Sequence, residues 1–183
     1  MKRLNSNGIK TSGQEWCGVY KLEIIYPQVS SCITVTCVVK GGLAGLHLAS
    51  TSFSTDADLI DYGKIAKGAT AMYVVGMLSR RWQEDSDSSE AKKNWTGLTY
   101  GASDGGTLIA RLRRETEFTG VVRVNDTSSV AGELEITATL AESTVIFKVS
   151  SPELGEQSLT DFQSIGGNVI LPTPNSSSRC VIL

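Results

Sequence analysis

Cys32 and His47 are the two side chains of this sequence best suited, by type and spacing, to do chemistry. A thiolate is a nucleophile, and an imidazole beside it can take up its proton and later return it. His47 is the one histidine among 183 residues, so any Cys–His chemistry must use it. The stretch between the two explains how they would meet. Ile33 to Val39 is rich in β-branched residues, which suit a pleated strand. Lys40-Gly41-Gly42 supplies a turn, and Leu43 to Ala49 can return antiparallel. Folding the chain there brings Cys32 roughly level with His47, and residues opposite one another have Cβ atoms ~5 Å apart on one face. The turn can centre on Lys40 or on Gly41, and a slip of one residue would send the two side chains to opposite faces. The plain alternative is a small buried cysteine beside a histidine satisfied by a hydrogen bond.

Cys17 and Cys37 are rival nucleophiles. Cys37 lies five positions after Cys32, and the strand period of two points it to the other face; spacing does not remove Cys17. With no CxxC pair and no cysteine–histidine cluster, neither a zinc site nor any other metal or cofactor is expected. The fourth cysteine heads Cys180-Val181-Ile182-Leu183, a C-a-a-X box whose final leucine points to geranylgeranylation. The polar stretch Pro172 to Arg179 before it reads as an accessible tail. One prenyl chain anchors weakly, and no polybasic run supports it here. The alternative is an ordinary apolar C-terminal strand.

Composition bounds the rest. The length suits one domain, residues 1–183, with a sizeable core, and 40% hydrophobic against 20% charged residues reads as globular. A formal charge of −2 gives no electrostatic case for nucleic acid or for an anionic membrane as main partner. The basic run Arg111-Leu112-Arg113-Arg114 reads as a solvated edge or face. The start of the chain is basic but lacks the apolar core of a secretory signal, and no apolar run reaches the ~18 residues of a membrane span.

The elements that must position the pair follow from periodicity. Residues 1–14 read as loose, and Trp16 to Tyr26 as one strand ended by Pro27. A long helix is expected from Asp56 to Trp82, capped by Ser54 or Thr55, its glycines allowing close packing. Gln83 to Asn94 reads as an exposed loop. Asp104-Gly105-Gly106 is not a phosphate loop, because no Gly-Lys-Ser/Thr follows. Strands are expected at Thr107–Arg113, Gly120–Asn125, Glu133–Leu140 and Thr144–Ser150, then a short helix within Pro152–Phe162 and a last strand at Asn168–Leu171. The fold class is therefore α+β, a mixed sheet or sandwich with flanking helices, with a tail from about residue 172.

Ser31-Cys32, the apolar strand and Gly41-Gly42-Leu43-Ala44-Gly45-Leu46-His47 resemble the chemoreceptor glutamine deamidases (CheD-like) and the catalytic domain of the cytotoxic necrotizing factor toxins. The resemblance covers about Tyr20 to Ala71 and implies a Cys–His protein-glutamine deamidase. Cys32 would attack the carboxamide of an exposed glutamine on a protein substrate, with His47 as acid–base and the Cys32 N–H, with Ser31 nearby, holding the oxyanion. In the chemoreceptor enzymes a threonine six residues before the cysteine contributes; here that position is Tyr26, a departure that leaves Tyr26 as a candidate to orient His47. In the toxins a backbone carbonyl orients the histidine, a role no sequence displays. The toxin resemblance and the prenylation box together suggest an effector held in the bacterial cytoplasm before delivery to a host cytosol or membrane, acting on a regulator such as a small GTPase. A chemoreceptor deamidase and a non-enzymatic, membrane-anchored binding domain are the alternatives.

Overall fold

The computed structural model describes residues 2–4, 17–30, 32–48, 56–76, 78, 108–130 and 132–166. Ser31, Cys180, the helix cap at Ser54 or Thr55, the 83–94 loop, Asp104-Gly105-Gly106, the 168–171 strand and the tail lie outside them.

Two sheets pack face to face in an α+β architecture. One has the order β1-β3-β8-β9-β10, built from Lys2–Arg3, Glu23–Val29, Leu134–Ala141, Thr144–Ser151 and Gly155–Leu159. The other has the order β11-β7-β6-β4-β5-β2, built from Gln163–Ile165, Val122–Asp126, Ala71–Gly76, Ile33–Val39, Gly42–Leu48 and Cys17–Tyr20. Helices α1 (Asp56–Ala66) and α2 (Leu108–Thr116) cover the outer face of the six-stranded sheet. β4 and β5 lie inside that sheet and read as near-continuous apolar runs because both faces are buried. One core, with Val35, Cys37, Leu46, Leu59, Tyr62 and Val74, lies under the helices. The other, with Ile24, Tyr26, Cys32, Val75, Ile136 and Phe147, lies between the sheets.

Several elements differ from the sequence expectation. The expected 56–82 helix ends at Ala66, and the apolar run that follows it is the buried strand β6. Gly68, at φ +76°, takes the left-handed conformation that stops a helix, and Met72 to Val75 then pair between β4 and β7. The close-packing role of the glycines holds at Gly63, where a Cβ would lie 2.5 Å from the Glu115 carbonyl oxygen of α2. Leu108 to Thr116 is helix rather than strand, burying Leu108, Ile109 and Leu112 at helical spacing. Its arginine run is no solvated edge. Arg113 is 3% exposed, its Nη2 donating to the carbonyls of Gly120 (3.0 Å), Ile165 (3.2 Å) and Gly166. The single strand expected over Trp16–Tyr26 is β2 and β3, in different sheets. β3 continues past Pro27 to Val29 through an irregularity in register, with Gln28 at φ +58°. Gly155 to Leu159 is an edge strand, not a helix, because it pairs along β9. Lys2–Arg3, within the region read as loose, is a short strand parallel to β3.

Candidate active site

The β4–β5 hairpin forms about Lys40-Gly41, with Val39 paired to Gly42. Gly41 sits at φ +97°, and at Gly42 a Cβ would lie 2.1 Å from the Tyr20 carbonyl oxygen, so the glycine pair is what this turn requires. The resulting register differs from the expected one by two residues. Thr34, not Cys32, stands opposite His47. Parity is preserved: Cys32 precedes Thr34 by two, and it packs in the core between the sheets, the face that also carries His47. Cys32 is thus diagonal to the imidazole, and such neighbours have Cα atoms roughly 7–8 Å apart, within reach of an aromatic ring.

His47 is fully buried, and Cys32 is 8% exposed. The two side chains thus share a buried face, not a surface cleft. Leu4, Tyr26 and the five-stranded sheet cover it. A cleft of about 440 Å³ lined by Arg3, Pro27, Gln28, Leu134, Glu135 and neighbouring residues opens by the β3–β8 pair, and neither Cys32 nor His47 lines it.

The hydrogen bonding of His47 defines its proton. Nδ1 lies 2.7 Å from the Leu4 carbonyl oxygen. A carbonyl only accepts, so Nδ1 carries the hydrogen and Nε2 carries the lone pair. Nε2 is buried and has no hydrogen-bond partner among the described residues. Burial pushes the imidazole down to about 4, against the weaker opposing effect of the Leu4 bond, so the ring is neutral at pH 7. A neutral ring can accept a proton, and a ring held this far down binds it weakly until substrate or movement relieves the burial.

Tyr26 meets His47 differently from the hydrogen-bonded orienting role considered for it. Its hydroxyl donates to the Val35 carbonyl at 3.0 Å and shares a 2.8 Å hydrogen bond with Thr36 Oγ1. The ring instead packs edge-on against the imidazole, with centroids 5.9 Å apart and planes at 85°. Thr34 Oγ1 donates to the Val75 carbonyl at 2.8 Å, tying β4 to β6 beside the site. The group that holds His47 is the main chain of Leu4, and no residue type signals a carbonyl.

Cys37 and Cys17 lie with the helix-side core, on the other side of the six-stranded sheet from His47. Burial pushes the Cys37 thiol up to about 12. Cys32 is therefore the cysteine on the face of the imidazole among the described residues, and Cys17, Cys32 and Cys37 are all thiols. Among the described residues no group of three or more His, Cys, Asp and Glu could hold a metal ion, and no helix is long and apolar enough to cross a membrane.

Comparison of the chain with protein-family models, with curated proteins and with solved structures returns no match.

Proposed function

We propose that this protein is a cysteine-dependent protein-glutamine deamidase, with Cys32 as nucleophile and His47 as acid–base. One observation carries the reading: His47 gives its Nδ1 hydrogen to the Leu4 carbonyl and keeps a buried Nε2, without a partner among the described residues, on the face that holds Cys32. Buried polar atoms are nearly always paired, so an imidazole with no proton to handle would be expected to use both nitrogens. A backbone carbonyl is also the orienting group that the toxin resemblance implies.

In this mechanism Nε2 takes the thiol proton, and the thiolate attacks the side-chain carbonyl carbon of glutamine. The protonated imidazole returns that proton to the departing ammonia. Water then hydrolyses the thioester, leaving glutamate and the free thiol. The Cys32 N–H is the oxyanion donor in this proposal. Catalysis requires the thiol and Nε2 to close their diagonal separation as a carboxamide enters past Cys32, the less buried of the two. The substrate would be an exposed glutamine of a host regulatory protein, a small GTPase in the toxin-like case. The protein would be an effector made in a bacterial cytoplasm and active in host cytosol or at a host membrane. A chemoreceptor substrate uses the same chemistry.

The full burial of His47 favours a second reading, a binding domain in which the histidine is structural. One experiment separates the two. Candidate targets incubated with the full chain should gain about one mass unit per site by mass spectrometry, and Cys32→Ser or His47→Ala should abolish the gain. A target bound equally by all three proteins, without change of mass, makes the chain a binding domain.

A further inference from the structure

Leu4 joins the first strand to the site through both its main chain and its side chain. Its N–H donates to the Ile25 carbonyl at 2.8 Å, and its own carbonyl accepts from His47 Nδ1 at 2.7 Å. Its side chain is fully buried over β5, where a Cβ on Gly45 would come within 2.7 Å of Leu4 Cδ1. The strand that delivers Leu4 is the shortest of the five-stranded sheet. β1 pairs only Lys2 with Ile24 and Arg3 with Ile25, at the sheet edge. On its exposed side Arg3 makes an ion pair with Glu135 of β8, reaching across β3.

We propose that β1 is a latch on the site. Docked on β3, it fixes which nitrogen of His47 carries the proton, and released, it takes that alignment away. Arg3 and Glu135, which pin the strand from outside, are on this account positioning residues that act on His47 through Leu4. The role as a switch of the base rests on the acid–base reading of His47, whereas the coupling itself is a property of the fold and is measured without activity. The other titratable groups on the face of the imidazole include Tyr20 from β2, Tyr26 from β3, Tyr73 from β6 and Cys32 ahead of β4, whereas the Nδ1 hydrogen goes to the Leu4 carbonyl.

The lone histidine makes the test direct, since imidazole nitrogen resonances of the labelled full chain come from His47 alone. The intact protein should show the hydrogen on Nδ1 and a titration midpoint near 4. Leu4→Ala uncovers the ring, and because burial outweighs the Leu4 bond, the midpoint should move upward toward 6.5 even as that bond weakens, with a larger share of rings carrying hydrogen on Nε2. Glu135→Ala removes a partly exposed pair, so Leu4 amide exchange should speed up about two- to fivefold, with a matching rise in the minor tautomer. The charge exchange Arg3→Glu with Glu135→Arg should restore both. The latch is refuted if the Leu4 amide loses protection while the tautomer and midpoint of His47 stay put. It is equally refuted if Glu135→Ala leaves Leu4 protection unchanged. Should Leu4→Ala fail to fold, Glu135→Ala and the charge exchange decide the matter. A wild-type protein that passes these tests yet changes no target's mass would remove the deamidase reading and leave the coupling intact.

Discussion

Acid should destabilise this protein through one imidazole. In the unfolded chain His47 titrates near 6.5, and in the folded protein near 4. Between those values the unfolded state binds the extra proton, so stability rises with pH across this window and is lost as pH falls. The two midpoints give a loss of about 2 kcal/mol between pH 7 and pH 5 and about 3 kcal/mol by pH 4, after which the contribution flattens. Against a typical total of roughly 5–15 kcal/mol this is a large fraction. Carboxylates titrate in the same range, so the assay is a comparison. Urea unfolding would be followed at pH 7, 6, 5 and 4 for the wild type and for His47→Gln, whose amide can still donate to the Leu4 carbonyl but does not titrate. The variant's baseline stability is irrelevant; the difference in slope is the measurement. The wild type should lose about 2 kcal/mol more than the variant between pH 7 and pH 5. Parallel slopes would refute the argument, because they would mean that the ring titrates alike in the two states and is not sealed between the sheets.

Other sites give sharper local tests. Gly45→Ala places a Cβ within 2.7 Å of Ile24 Cδ1, Leu4 Cδ1 and the Tyr26 hydroxyl; overpacking of this kind should cost about 1–3 kcal/mol in urea unfolding and loosen the Leu4 amide. Tyr26→Phe removes the hydroxyl that serves Val35 and Thr36, and a loss of about 1–2 kcal/mol is expected with His47 still packed against the ring. Arg113→Ala strips the carbonyls of Gly120, Ile165 and Gly166 of their donor; exchange protection at Gln163 to Ile165 should fall, and stability should drop by about 2–4 kcal/mol. If the C-terminal box is prenylated, Cys180→Ser should leave the membrane fraction of host cells, while unchanged partitioning would make residues 172–183 an unmodified tail.

The β4–β5 hairpin was legible because two signals agree there, a β-branched run and a glycine pair at a turn that only glycine fits. The period of two is enough to put Cys37 on the opposite face from Cys32, whereas the shared face of Cys32 and His47 depends on the turn and is settled by the pairing of Thr34 with His47. The register did not follow, since Lys40 and Gly41 are both workable turn centres and only pairing with β6 and β2 decides between them. β6 was hidden because an apolar run buried on both faces satisfies helical spacing as readily as strand spacing. The α2 segment failed the other way: Leu108, Ala110 and Leu112 alternate like a strand, yet Leu108, Ile109 and Leu112 form one helical stripe. The strands β7 to β9 are legible to within two residues at each end, because turns between them carry local markers, and at one of these Glu142 sits at φ +57°. The Leu4 carbonyl was beyond reach of any such reading, since it depends on a two-residue pairing 20 positions from its partner strand's start and on main-chain chemistry shared by every residue.

The sheet order also fixes when the site can be finished during synthesis. β4 and β5 are neighbours in sequence and can form within a microsecond-scale hairpin step. Their inward face is covered by β3 and β8, and β8 begins only at Leu134. A ribosome must therefore deliver most of the chain before the thiol and the imidazole are enclosed. In that interval Cys32 is exposed on a growing polypeptide, open to oxidants and to wrong partners. Long-range pairing of this kind slows folding. Truncated nascent chains ending before β8 should accordingly react quickly with a thiol reagent at Cys32, and the finished protein slowly.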